Sequence, residues 1–422
     1  MRHASMMRRA GAAAAVALAF ASLTLASPAA AAPPGSGDPL TPGADLYVDP
    51  HSSTAEAAEL LTGQARADAE HLAGFPTASW FTGGSPASVK RDVKDVVVHA
   101  HAQDAVPVLV AYNIPFRDCA QYSAGGATSV AEYTAWIEGF AKGIGNKDAV
   151  VILEPDGLGI IPHYTSVDGA QEWCRPAEAD PATAAAERFE MLNHAVDVLS
   201  ALPHTAVYLD GTHSGWLNVG DISHRLVAAG VERADGFFLN ASNYQFTANL
   251  TAYGRWISSC IALVTQLDGA YGDCGNQYWN GGPSNNWSGV TMDNLREWSA
   301  GSADPALDTA GVDSRYAAQL GDVAPSTHFV IDTSRNGQGP WDVPSTYEDW
   351  CNPLDRGLGE RPTADTGEAL VDAYLWIKVP GESDGQCLRG TAGPEDPARG
   401  VIDPPAGGWF ADMARELIVN AR

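Results

Sequence analysis

The chain is 422 residues long, with 51 acidic against 25 basic side chains and a formal net charge of −26. That length suffices for one large barrel-type domain or two medium ones. The charge repels nucleic acid and anionic lipid, and no run beyond the N-terminus is long and apolar enough to span a bilayer.

Arg2, Arg8 and Arg9 precede the apolar run Ala12–Ala26, and Ala30-Ala31-Ala32 follows as a small-residue cleavage site. This pattern predicts a secretory signal peptide over residues 1–32 and an extracellular protein. Its removal moves the net charge to about −29, because three arginines leave and no acids do. Residues 33–44 read as a disordered Pro/Gly-rich leader, and residues 45–422 as a single catalytic domain. Six cysteines in an exported chain imply three disulfides, and spacing alone leaves all fifteen pairings open.

Strand-like runs then recur: Leu46–Asp49, Ala78–Phe81, Val106–Tyr112, Val150–Leu153, Ala206–Leu209, Gly236–Leu239, His328–Ile331 and Ala373–Lys378. Amphipathic stretches such as Ser88–His101, Ser129–Gly143, Pro181–Ala201 and Asp221–Ala229 lie between them. This alternation predicts an α/β fold, a distorted TIM-like barrel of seven or eight mostly parallel strands. Two long irregular segments interrupt it. Gln245–Pro325 holds Trp256, Tyr271, Tyr278, Trp279, Trp287 and Trp298, with a helical look only over Arg255–Gln266. Asn336–Thr366 is rich in Gly, Pro and Trp. Loops of this length read as lids or binding walls at the carboxyl-end face, with a small structural subdomain as the alternative.

The fourth run, Val150-Val-Ile-Leu153, passes straight into Glu154-Pro-Asp156-Gly157. A short apolar run closed by Pro and Gly is a strand buried on both faces, and catalytic groups gather at the carboxyl ends of such strands. An acid placed there loses hydration, its pKa rises, and it can stay protonated as a general acid. Taken alone, Asp156 could equally cap a following helix. Polar residues at the other strand ends decide the matter: Asn113 to Asp118, Asp210 to Trp216, Asn240 to Tyr244, Asp332 to Asn336 and Lys378 to Gly385. Six such ends converge on one face of a barrel. Tryptophans beside Gly, Asn and Asp add the apolar plates that a sugar-binding cleft needs.

These residues resemble glycoside hydrolase family 6, secreted β-1,4-glucanases that hydrolyse cellulose with inversion. The resemblance runs from Tyr47-Val-Asp49 to Trp409-Phe410, through Tyr112-Asn-Ile-Pro-Phe-Arg-Asp-Cys119, Ile152-Leu-Glu-Pro-Asp-Gly157, Tyr208-Leu-Asp-Gly-Thr-His-Ser-Gly-Trp216, Ile331-Asp-Thr-Ser-Arg-Asn-Gly337, Asp349-Trp-Cys351 and Leu375-Trp-Ile-Lys-Val-Pro-Gly-Glu-Ser-Asp-Gly385. It implies that Asp156 is the acid and that Asp118 raises its pKa and helps relay a proton. It matches Asp384 to the base, gives Asp210 a charge-tuning role, and has Tyr112 press on the sugar at the cleavage subsite. Trp80, Trp216 and Trp350 correspond to sugar-stacking tryptophans, Lys378 and Glu382 to residues that bind sugar hydroxyls, and His213 and Asn243 to product-side contacts. Ser123 corresponds to a loop serine. The resemblance also pairs Cys119 with Cys174 and Cys351 with Cys387, leaving Cys260 for Cys274.

The expected partner is a β-1,4-glucan, such as cellulose or its oligosaccharides, met by a monomer without cofactor or metal. His99-Ala-His101 is a poor metal pair, since i and i+2 diverge on a helix. The moderate length of Gln386–Pro405 favours an open groove and endo action over a cellobiohydrolase. A rival of another class is a non-catalytic polysaccharide-binding protein, in which Asp156 or Asp118 would be expendable.

Overall fold

Strands rich in β-branched and aromatic residues form the centre of the molecule. The computed structural model describes residues 38–279, 289–344 and 347–422; the segment expected to be a signal peptide and Trp287 lie outside the described residues. β1 (Ser79–Phe81), β2 (Val108–Ala111), β3 (Ala149–Leu153), β4 (Thr205–Asp210), β5 (Gly236–Leu239), β6 (His328–Asp332) and β7 (Val371–Leu375) pair in chain order, every pair parallel. The two edges of the curled sheet also meet. The Ala78 amide donates to the Trp376 carbonyl at 3.0 Å, and the Trp80 indole donates to the Ile377 carbonyl at 2.8 Å. The result is a nearly closed seven-stranded barrel, as the strand–helix alternation predicts.

Alternation along each strand makes two cores. Val110, Ile152, Tyr208, Phe238 and Val330 fill the barrel interior. Their neighbours Leu109, Val151, Leu209, Leu239 and Ile331 face outward into the helical layer. That layer holds α3 (Pro86–His101), α4 (Val130–Ile144), α5 (Ala184–Ser200), α6 (Val219–Ala228), α7 (Thr247–Gln266) and α8 (Ala310–Leu320); α1 (Ser53–Leu60), α2 (Gly63–Leu72) and α9 (Ala411–Val419) complete the described helices. Their starts are set locally. Ser85 caps α3, with Pro86 in its first turn, and Asn218 caps α6 through the Asp221 amide. Val89, Val93, Val97 and Ala100 then form the buried stripe of α3. Among the described residues no helix is long and apolar enough to cross a membrane.

Four sequence expectations need correction. Leu46–Asp49 supplies a single parallel bridge, Leu46 to Val106, rather than an eighth strand. The last strand ends at Leu375, so Trp376–Lys378 lie beyond it, and of these three Lys378 lines the cavity described below. The leader expected to be disordered is ordered where it is described: Leu40 is buried and joins the barrel-interior cluster, with Ala44 and Leu46 packed against it. Finally, Gln245–Pro325 is no simple lid. It contains the twenty-residue α7 and, beyond it, α8, and Trp256 and Trp298 stack on each other at 5.6 Å inside the core.

α7 lies so close to β6 that Gly254 meets the Phe329 ring; a Cβ there would intrude on three ring atoms. A disulfide from Cys260 to Cys274 pins the helix to the turn that follows it, with Cα atoms 5.5 Å apart. Gly254→Ala is therefore expected to destabilise the protein by about 1–3 kcal/mol through overpacking, read as a lowered unfolding midpoint. An unchanged midpoint would mean that α7 does not sit this close.

Candidate active site

The loops leaving β2 to β5 carry unusual backbone conformations. Phe116, Asp118, Cys119, Glu154, Asp156, Thr212, Asn240 and Ser242 all have positive φ without being glycine. Such residues persist only where surrounding contacts over-determine them, and they concentrate at functional sites. The contacts here are buried charges. Glu154 accepts the Asn113 and Ile114 amides at 2.9–3.0 Å, tying the end of β3 to that of β2. Arg188, fully enclosed on α5, donates to the carbonyls of Gly157 and Ile160 at 2.7 and 2.9 Å and to Pro115 at 2.8 Å. One guanidinium thus joins the Asp156 loop to the Asp118 loop. Arg225 of α6 holds the Leu158 and Gly159 carbonyls at 2.7 and 3.1 Å, and its own charge is met by Asp221 at 2.7 Å and Glu172 at 3.3 Å.

These clamps place Asp156 at the wall of a cavity of about 710 Å³. Burial raises its pKa well above the carboxylate range, and the charges of Asp210 and Asp118 raise it further. No amide or cation compensates. Asp210 sits behind the wall, accepting the Leu158, Gly159 and Thr212 amides at 2.9–3.2 Å. Burial pushes it up to about 6 even so. Asp118 also rises to about 6 by burial, against the opposing pull of the Ser123 amide, which donates to its Oδ2 at 2.7 Å, and of Arg117.

Asp384 experiences the opposite field. Burial alone would raise its pKa, but Arg335 and Lys378 outweigh that and hold it below the usual range. Arg335 bonds both carboxylate oxygens at 2.9–3.0 Å, and Lys378 Nζ stands 3.7 Å away. The Tyr244 hydroxyl and the Asn352 amide add donors at 3.2 and 3.0 Å. The sequence assigns no role to Arg335, Tyr244 or Asn352, although Tyr244 lies in the polar stretch after β5 and Arg335 within the motif Ile331–Gly337.

The cavity gathers the candidates that the sequence selects: Asp118, Asp156, Asp384 and Tyr112 with Trp80, Trp216, Trp350, His213, Asn243, Lys378 and Glu382. Ser123 lines it too, whereas Asp210 does not. Trp80 packs edge-on to Tyr112 at 5.4 Å, Trp216 tilts against His213 at 5.7 Å, and Trp350 against Tyr122 at 5.9 Å. The Trp216 ring lies directly on Gly159, where a Cβ would have no room. His213, lowered to about 4 by burial, is neutral at ordinary pH. Glu382 accepts the Ser53 hydroxyl at 2.5 Å. The Cys119–Cys174 and Cys351–Cys387 disulfides, each with Cα atoms 5.8 Å apart, brace the Asp118 loop and the segment beside Asp384.

A carboxyl whose folded pKa is raised binds its proton more tightly in the folded than in the unfolded state. For Asp156, stability is therefore unaffected below the unfolded value near 4, and is lost as pH rises from there through the raised folded value. Asp156→Asn removes this cost. It is expected to raise the unfolding midpoint at pH 7 and to leave it near wild type at pH 3.5; equal shifts at both pH values would contradict the assigned environment.

A model of glycosyl hydrolases family 6 matches residues 41–421. Endoglucanase A of Cellulomonas fimi is 32% identical over 382 residues, covering 90% of this chain and 62% of that protein. The chain therefore spans less than two thirds of that relative's length. Probable 1,4-beta-D-glucan cellobiohydrolase C of Aspergillus niger is 30% identical over 414 residues, covering 92% of this chain and 78% of that protein. The solved structure of an endoglucanase from Mycobacterium tuberculosis, in complex with methyl-cellobiosyl-4-deoxy-4-thio-beta-D-cellobioside, aligns with a TM-score of 0.64 at 33% identity, covering 91% of this chain and 99% of that one. The chain belongs to glycosyl hydrolases family 6.

Proposed function

We propose that the protein is an exported, monomeric β-1,4-glucanase that cleaves cellulose-type chains with inversion at the anomeric carbon. The observation that carries this reading is the contrast between Asp156, buried beside two other acids that raise its pKa, and Asp384, bonded by Arg335 and close to Lys378, which lower it. Environments that push two acids apart in pKa separate their roles.

In the proposed step, Asp156 gives its proton to the glycosidic oxygen as the bond from that oxygen to the anomeric carbon breaks. A water attacks the same carbon from the opposite face, and its proton passes toward Asp118. Asp118, at about 6, is a better-matched acceptor than Asp384. The latter's depressed pKa and crowded donors make it a poor proton acceptor. Tyr112 remains a neutral phenol, raised by burial and by the charges of Asp156 and Asp118, and presses on the ring at the scissile bond. Trp80, Trp216 and Trp350 supply apolar plates for neighbouring sugars, Lys378 and Glu382 bind their hydroxyls, and His213 and Asn243 contact the product side.

Endo action is supported by what surrounds the groove. After Asp384, only Ala406 and Gly407 reach the cavity. The intervening chain folds away from it, with Arg389 donating to the Glu348 and Cys351 carbonyls and to Asp396 at 2.7–2.8 Å. From the long segment between β5 and β6, beyond the strand-end loop, Asn294 and Leu295 are the described residues that line the cavity. Export is supported by the N-terminal signal pattern and by three disulfides, which persist in oxidising compartments.

Asp156→Asn is expected to lower turnover of cellotetraose by about 10²–10⁴-fold while calorimetric binding of the same sugar persists. Near wild-type turnover would remove Asp156 as the acid, and a wild-type protein that binds without turnover would favour the non-catalytic reading. On carboxymethyl cellulose, viscosity should drop steeply per reducing end released. Cellobiose as the sole early product, with viscosity maintained, would establish a cellobiohydrolase instead.

A further inference from the structure

Trp173 plays no part in the site as described so far. It stands on the chain between β3 and α5, lines the same cavity as Asp156 and Trp216, and is 53% exposed. Its backbone is fixed from several directions. Thr165 and Gln171 form an antiparallel bridge beneath it. The Glu172 amide donates to the Tyr164 carbonyl at 2.8 Å, and the His163 amide to the Cys174 carbonyl at 3.0 Å. Glu172, one residue before, pairs with Arg225 at 3.3 Å. Cys174, one residue after, is the disulfide partner of Cys119, which adjoins Asp118.

Both neighbours of Trp173 are thus tied to the machinery that positions the catalytic acids, yet the indole between them is uncovered. Trp80, Trp216 and Trp350 each rest against another aromatic ring; Trp173 is given no such partner among the described residues. A lone exposed apolar side chain on a loose surface needs no explanation. A large ring on a rigid support at the edge of a cleft does, because its hydration cost persists until something flat and apolar covers it. The cavity is also lined by Asn294, whose buried Oδ1 atom has no hydrogen bond among the described residues. A pyranose presents both matching features, an apolar face of C–H bonds and a rim of hydroxyls.

We propose that Trp173 is a sugar-stacking platform at the mouth of the cleft, holding a glucosyl unit beyond those on Trp80, Trp216 and Trp350. The proposal rests on the β-1,4-glucanase reading above and deepens it. It makes Trp173 a determinant of chain-length preference, because only substrates long enough to reach it gain from it.

The test compares cellohexaose with cellotetraose for wild type, Trp173→Ala and Trp173→Phe, with a thermal melt of each. In Trp173→Ala, kcat/KM on cellohexaose relative to cellotetraose is expected to fall about tenfold, equivalent to about 1.4 kcal/mol. The loss should appear in KM rather than kcat, and Trp173→Phe should recover part of it. Equal losses on both sugars, or an unaltered ratio, would overturn the platform and leave the glucanase reading standing. A wild type that cleaves neither sugar would overturn both.

Discussion

Two aspartic acids in one cavity sit in opposite electrostatic environments, one raising and one lowering the pKa, and much of the carboxyl-end face serves that separation. The Asp156 carboxyl has no ion pair among the described residues, so burial and the like charge of Asp210 and Asp118 act together. Near Asp384 the protein places Arg335 and Lys378, and the attraction overcomes burial. Carboxyls crowded into a low-dielectric space would repel one another and draw in water unless the backbone around them were stiff. Arg188 and Arg225 supply that stiffness by binding main-chain carbonyls of the Asp156 loop. They act at the back of the wall, leaving the acid itself without a neutralising partner.

Arg188 also shows why a site of this kind is built on a barrel. Its three carbonyl acceptors come from the loops after β2 and β3, and parallel strands deliver those loops to the same end of the sheet. The outward core packs the helix carrying Arg188 against the strands, so the position of the acid is coupled to hydrophobic packing well away from it. Positive φ at Glu154 and Asp156 is tolerated because Arg188 and Asp210 bond the Gly157–Ile160 backbone that follows, while the Glu154 carboxylate is itself anchored by the Asn113 amide. The disulfide from Cys119 to Cys174 extends this frame outward to the cleft mouth.

Much of the fold is legible in the sequence because buried parallel strands are continuous apolar runs; β2 to β6 fall within or beside the expected runs. Leu46–Asp49 misleads because a single bridging residue has the composition of a strand. The first half of α7 is hidden for a different reason. It is buried on so many sides, from Asn249 through Leu263, that no amphipathic stripe develops, and its Gly, Ser and Thr residues lower its helical propensity. Asp156 announces itself through the strand and turn around it, and the tryptophans through their polar settings. Arg188 does not, because its partners are carbonyls, which no sequence pattern reveals. A faint signal exists: Arg188 follows Ala184 by four residues and shares the buried face of α5 with Met191, Leu192 and Ala195. A charge on a core-facing position calls for a buried acceptor.

In the proposed reaction, which inverts the anomeric carbon, Asp156 protonates the leaving oxygen while water, with no protein nucleophile, attacks from the other face. The anomeric configuration of the first product tests this most directly, followed by proton NMR in the early minutes of cellohexaose hydrolysis before mutarotation scrambles it. The arrangement described here predicts the α-anomer as the first new reducing end. A β-anomer would mean a covalent intermediate on a nearby carboxylate, and would contradict the roles assigned to Asp156, Asp118 and Asp384.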